Sequence, residues 1–152
     1  MSSPENSPTP LDPEMQKLAE QARQHADAVM EKIPLLGAVS WLLMQQGATR
    51  HTLLSELEWR VMPALVLGQF NLYMRGKAPL AFVSWARLSQ EAAQRYQQAP
   101  HHLTPQDWQS GDQLWIVDFI VPFGGAKELW DKLTQEQFKD QRVHRLGLTK
   151  EL

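Results

Sequence analysis

The amino-acid sequence predicts an α+β or α/β layered domain, and three observations carry that prediction. The segment before Pro63 places apolar side chains at helical spacing between caps and prolines. Residues 67–85 alternate with period two on either side of a turn, and residues 114–121 form an almost unbroken apolar run ahead of a glycine pair and a further helical pattern.

Ser2 to Pro10 has the Ser, Pro and Asn bias of a solvated tail, so residues 1–12 are expected to be disordered. Asp12 followed by Pro13 offers an N-cap with Pro at the first helical position. Met15, Leu18, Ala22, Val29 and Ile33 then recur three to four residues apart, predicting an amphipathic helix over 13–34 that Pro34 ends. Leu35 to Gln46 is apolar nearly all round, as in a buried helix, with Gly47 as its stop. Leu53, Leu54, Leu57, Val61 and Met62 mark a short helix, with Thr52 or Ser55 as cap and Pro63 as terminator.

Leu67 to Met74 reads as a half-buried strand, Arg75 to Pro79 as a turn, and Leu80 to Trp85 as the antiparallel partner. Ser89 caps a polar helix through Glu91 to Gln98, and Thr104-Pro105-Gln106-Asp107 is a capped helical turn. Leu114 to Val121 is rich in β-branched and aromatic residues, so it should be a central strand covered on both faces. Pro122 and the Gly124-Gly125 pair end it and hand over to a helix from Ala126 to Gln137, and Val143 to Leu148 is expected to be a last edge strand. Residues 35–152 would then make a single domain.

Composition removes several function classes. The formal charge is −2 and no long basic run occurs, so nucleic acid is not the expected partner. The absence of Cys removes disulfides, thiolate nucleophiles and Cys-containing zinc sites, leaving oxygen and nitrogen for covalent chemistry, with Ser84 and Ser110 open as hydroxyls. The N-terminus has no secretory pattern, and the longest apolar stretch, near Leu35 to Met44, is interrupted by Gly37 and Ser40. The expectation is a cytoplasmic protein with no membrane span.

Asp118, inside the most apolar strand, stands out. An ionised carboxylate there needs a partner, which leaves two readings: a structural cap or buried ion pair, for instance with Arg50 or Arg87, or a carboxylate that orients a catalytic base at a strand end. His51, in a short loop between helices, is either a solvent-exposed loop residue or a general base near neutral pH. His101-His102 lacks metal-ligand spacing, and no metal site is expected. Gly124-Gly125 reads as a tight turn rather than a phosphate cradle, since neither nucleotide-binding glycine pattern is present. The Trp residues at 41, 59, 85, 108 and 115 are expected in core packing.

Val39-Ser40-Trp41-Leu42, Pro63-Ala64 through Leu67-Gly68-Gln69-Phe70, Ala81 to Ala86 with Leu88-Ser89, Asp107-Trp108 with Ser110-Gly111-Asp112, and Trp115 to Gly124 occur in unbroken order between about Leu36 and Leu148. Together they resemble the bacterial lysine acyltransferases that activate repeat-in-toxin (RTX) proteins, the hemolysin-activating type. The resemblance implies a GNAT-like acyltransferase fold with a central, mostly antiparallel sheet flanked by helices. It implies transfer of a fatty acyl chain from acyl-carrier protein to internal lysines of an RTX protoxin, with no bound cofactor. It also implies a catalytic His paired with an Asp in a Trp-x-x-Asp strand. The Asp falls on Asp118. Aligned without a gap from Val39 to Pro63, the His falls on Thr49, and His51 lies two residues later, where some members carry a second His.

His51 is therefore expected to be the base that Asp118 orients. The competing expectation is a weak or inactive paralogue, marked by Thr49, that serves as a binding partner of the toxin or of acyl-carrier protein. A small-molecule N-acetyltransferase is disfavoured by the missing Gly-rich turn for coenzyme A. The 13–34 helix would suit a homodimer.

Overall fold

The structure, a computed structural model, describes residues 9–147; the expectations for residues 1–8 and for Leu148 lie outside them. The chain divides into two compact units, Met1–Glu31 and Lys32–Leu152.

In the first unit, helix α1 spans Pro13–Met30. Asp12 is extended and accepts the Met15 N–H at 2.8 Å, and Pro13 occupies a first-turn position whose missing N–H has no helical partner anyway. Arg23 pairs with Glu20 at 2.6 Å on the exposed face, a contact that adds little in water. The helix stops before Pro34, not at it. Pro34 instead lies in the first turn of α2, Ile33–Gln45, where its fixed φ suits a helix start.

The same correction applies at Pro63. Helix α3, Leu54–Arg60, ends before it, and Pro63 falls in the first turn of α4, Met62–Leu67, which Gly68 closes at φ 70°. The α3 N-cap is Leu53, without a side-chain hydrogen bond, so neither Thr52 nor Ser55 caps it. The Thr52 hydroxyl donates to the Thr49 carbonyl instead. Leu67 and Gly68 therefore belong to a helix end, and strand β1 begins only at Phe70. Gln69, between them, is buried and satisfied: its amide donates to the carbonyls of Trp85 and Trp108 at 2.9 and 3.2 Å.

Strand β1, Phe70–Arg75, and strand β2, Ala78–Leu88, form the expected antiparallel hairpin, with Arg75 opposite Ala78. Ser89 caps α5, Gln90–Tyr96, by accepting the Ala92 N–H. A 3₁₀ turn at Pro105–Trp108 precedes β3, Gln113–Ile120. Helix α6, Ala126–Lys132, continues as a π-helical turn, Leu133–Gln137, before β4, Val143–Arg145.

The sheet order is β1-β2-β3-β4, antiparallel except for the parallel β3–β4 pair. A parallel neighbour requires a crossover, and α6 with its π turn supplies it. One layer of the core packs Val39, Leu42, Val61 and Leu65 on Phe82 and Ile120; the other packs Leu133 and Phe138 on Val83, Leu114 and Ile116. A third cluster gathers Ala86, Leu88, Tyr96, Trp108 and Trp115. Trp41 and Met44 of α2 depart from the buried-helix expectation, being 39% and 56% exposed, and Trp41 contacts Phe123 at the surface. Among the described residues no helix is long and apolar enough to cross a membrane.

Two features of the turn before β3 hold this layer in place. The Asp107 carboxylate accepts the Thr104 N–H at 2.8 Å and hydrogen bonds from Arg95 at 2.8 and 3.2 Å. Gly111 passes so close to β2's end that an added Cβ would stand 2.5 Å from the Ser89 Cα and 2.6 Å from the Leu88 carbonyl oxygen. Gly111→Ala should therefore force backbone apart and cost about 1–3 kcal/mol, read as a thermal midpoint lowered by several degrees. Burial alone would raise the Asp107 carboxyl, but Arg95 and Thr104 outweigh it and hold the group below the ordinary carboxylate value. Its stabilisation is then complete above that ordinary value and lost as pH falls through the lower native one. Asp107→Asn should accordingly flatten the acid limb of stability against pH, measured by urea melts below about pH 4.

Candidate active site

The position of Asp118 is decided by a bulge. Ser84 pairs with Asp118 but the next residue of β2, Trp85, pairs with Ile116, so Val117 is extra on β3. Before the bulge, Leu114 and Ile116 pack towards Leu133, and Trp115 and Val117 towards the Trp108 cluster. After it the alternation resets, and Ile120 joins Val39, Leu42 and Phe82 while Phe119 packs towards Leu133. A bulge re-aims a side chain in this way because two consecutive residues face one partner. Asp118 is thereby turned towards α3, with its own N–H donating to the buried Ser84 hydroxyl at 3.1 Å.

There it meets Arg60, the last residue of α3. Arg60 Nη2 and Nε donate to Asp118 Oδ1 at 2.6 and 2.8 Å, and Nε lies 3.1 Å from Oδ2. Asp118 is 2% exposed. Burial pushes its carboxyl above the ordinary value, against the opposing pull of Arg60 and, less strongly, Arg145. Burial would lower Arg60 in turn, but its hydrogen bonds to Asp118 and the carboxylate's charge hold it above its ordinary value. The ion pair partner is thus Arg60, neither Arg50 nor Arg87; the Arg87 guanidinium donates to Gln141 instead.

Asp118 and Arg60 open onto a cleft of about 250 Å³ that Thr49, Gln46, Phe119 and Arg145 also line. Thr49 is buried, and its hydroxyl donates to the Leu43 carbonyl at 2.7 Å. Gln46 closes the same turn: its carbonyl accepts the N–H groups of Thr49 and Arg50, and its side chain accepts the Val121 N–H at 3.2 Å. His51, two residues further along the same turn, is exposed and is not among the residues lining the cleft. The structure therefore brings Asp118 and Thr49 to one cleft and leaves His51 outside it.

The remaining candidates have structural surroundings. The Ser110 hydroxyl accepts the Ser89 N–H and donates to the Asp107 carbonyl. His101 Nδ1 sits 2.8 Å from the Tyr96 carbonyl, and the His102 ring lies 4.6 Å from that of Trp59. Gly124 and Gly125, at φ 97° and 83°, make the tight turn after β3. Among the described residues no group of three His, Asp or Glu side chains is placed to hold a metal ion. Two residues escaped the sequence reading: Arg60, which stands beside Glu58 in the stretch Leu57 to Met62 as an ordinary charged helix residue, and Arg145, which nothing local distinguished.

Removing one partner of a buried pair leaves the other unpaired, whereas replacing both by apolar groups removes the desolvation penalty as well. Asp118→Ala should therefore cost about 3–5 kcal/mol in chemical denaturation, and Asp118→Leu combined with Arg60→Met should recover most of that loss.

A family model described as the RTX toxin acyltransferase family matches residues 28–151. The chain is 36% identical over 102 residues to the leukotoxin-activating lysine-acyltransferase LktC of Mannheimia haemolytica serotype A1, covering 67% of this chain and 61% of that protein. It is 37% identical over 115 residues to the leukotoxin-activating lysine-acyltransferase LtxC of Aggregatibacter actinomycetemcomitans, covering 73% and 68%. With the protein-lysine myristoyltransferase HlyC of Escherichia coli it shares 34% identity over 113 residues, covering 74% and 66%. The matches thus span about three-fifths to two-thirds of the length of these relatives. With a family match over more than half its length and relatives of this identity, the chain belongs to the RTX toxin acyltransferase family.

Proposed function

We propose that this protein is a protein-lysine fatty acyltransferase that takes its acyl chain from acyl-carrier protein and places it on internal lysines of an RTX protoxin. One observation carries the reading to the site. The two positions that the family resemblance pairs, the Asp at 118 and the ungapped His position at 49, line the same cleft although 69 residues separate them in the chain. The relatives' names, leukotoxin-activating lysine-acyltransferase and protein-lysine myristoyltransferase, support the reaction class. The reading includes a GNAT-like arrangement of the mixed sheet and a cytoplasmic location, where the protoxin and charged acyl-carrier protein would both be met.

A lysine ammonium, with a pKa of about 10.4, must lose a proton before it can attack a thioester. Thr49 cannot accept that proton at neutral pH, and its hydroxyl is committed to the Leu43 carbonyl. We assign the proton to His51, carried two residues away on the same turn. Asp118, neutralised and held in place by Arg60, would fix the geometry of the cleft wall that the imidazole faces from the rim. With no Cys present, direct aminolysis is the simplest route, and the hydrogen bonds of Ser84 and Ser110 fit positioning roles better than nucleophilic ones.

The test is transfer of a fatty acyl group from acyl-carrier protein to a protoxin fragment, with the modified lysine located by mass spectrometry. His51→Ala should lower the rate at least 100-fold, and Thr49→Ala should change it only a few-fold. Wild-type rates from His51→Ala would remove the assigned base. A protoxin that co-purifies with the wild-type protein and carries no acylated lysine would support the binding-partner reading instead. Thr49→His should raise the rate if the buried position is the better place for a base.

A further inference from the structure

Within the described domain the ion pairs are Arg60–Asp118 and Arg95–Asp107, and Arg145 takes part in neither. Yet Arg145 lines the Asp118 cleft. Strand β4 ends at this residue, paired in register with Ile116, while β3 runs on through Asp118 to Ile120. The guanidinium carbon lies 5.0 Å from the Phe119 ring centre and 5.6 Å from that of Trp130, and those two rings pack edge to face at 5.4 Å. Two rigid aromatic faces thus hold the cation in one place without using its N–H donors. Since Arg60 already neutralises Asp118, the cleft keeps one positive charge uncompensated among the described residues. Burial also pulls Arg145 below its ordinary value, partly offset by Asp118, so the cation carries a desolvation cost that an anion would relieve.

A positive cleft disfavours a lysine ammonium and favours an atom that becomes negative. We infer that Arg145 is a catalytic residue whose guanidinium binds the oxyanion formed on the acyl carbonyl during transfer. This inference rests on the acyltransferase reading above. Once the base has passed the ammonium proton on to water, attack of the neutral lysine Nζ forms the N–C bond and moves the carbonyl π electrons onto oxygen. Arg145 N–H groups then hydrogen-bond that oxygen. The nitrogen's extra proton passes to the base, the oxyanion collapses, the C–S bond breaks with its electrons on sulfur, and the thiolate takes the proton. Arg145 neither gains nor loses a proton in the cycle.

The probe is octylphosphonate, a tetrahedral anion on a short acyl-like chain, with 1-octanol as its uncharged counterpart. Binding to the full chain is followed by calorimetry and by the arginine Nε–H signals in nuclear magnetic resonance. The wild type should bind the phosphonate with a shift of the Arg145 signal and should bind octanol at least tenfold more weakly. Arg145→Gln should lose at least tenfold in phosphonate affinity, and Arg145→Lys should retain part of it. In the transfer assay Arg145→Gln should lower kcat by roughly 100- to 1000-fold with little change in KM for the acyl donor.

Equal binding of phosphonate and octanol, or an Arg145→Gln protein that binds and turns over like the wild type, overturns the inference. A raised KM with kcat intact also overturns it, making Arg145 a ground-state anchor. If the wild type binds phosphonate through Arg145 but transfers no acyl group, the anion site stands and the acyltransferase reading falls. If it transfers and Arg145 is silent in both measurements, the reverse holds. Thermal melts of both variants guard against loss of fold, and Arg145→Lys keeps the charge should Arg145→Gln fail to fold.

Discussion

The pairing of Arg60 with Asp118 is the constraint around which the cleft end of the sheet is arranged. A carboxylate that is almost fully buried needs a partner of fixed geometry, and the guanidinium supplies two donors that converge on Oδ1 at 2.6 and 2.8 Å. Meeting that need ties the end of α3 to the middle of β3, across 58 residues of chain, and requires the bulge at Val117 that turns Asp118 towards the helix. Ser84, directly opposite on β2, accepts the amide next to the carboxylate and completes the local hydrogen bonding. Residues from α3, β2 and β3 are all committed before any substrate arrives.

What surrounds the pair follows from the connection that comes after it. Because β4 runs parallel to β3, the chain must cross the sheet through α6 before returning, and it returns for only three residues. A short parallel edge strand leaves the end of β3 open and delivers Arg145 to that opening. The turn after α2 closes the other side, with Gln46 holding the Val121 amide and Thr49 holding the Leu43 carbonyl. The cleft is therefore built from hydrogen-bonded backbone on one wall and from charged and aromatic side chains on the other. Such a wall suits a reaction that develops negative charge, since its donors are in place before the charge appears.

The proposed base is the least constrained part of the site. Thr49 occupies the buried position on the turn and His51 the exposed one, so the imidazole sits in water while the carboxylate it was expected to meet is already satisfied by arginine. In chemical terms Arg60 neutralises the carboxylate, Arg145 sets the charge of the cleft, and His51 stands outside it. That division differs from a hydrogen-bonded His–Asp dyad, and it makes the arginines central to the electrostatics.

By itself the sequence determined the local features: the Asp12, Ser89 and Thr104 caps, the β1–β2 hairpin, the apolar β3 strand with an anomalous acid, and the glycine pair that ends it. Each depends on residues a few positions apart, where propensity and periodicity act directly. It also marked Asp118 as an acid that needs a partner, and the structure supplies one in Arg60. It misjudged Pro34 and Pro63, because a proline that ends one helix and a proline that begins the next look alike until the flanking helices are seen to pack separately. The identity of Asp118's partner, the bulge that aims it, the arrival of Arg145 and the exclusion of His51 from the cleft were decided only by tertiary structure. These depend on strand register and on a crossover, and contacts spanning tens of residues leave no periodic trace in the chain.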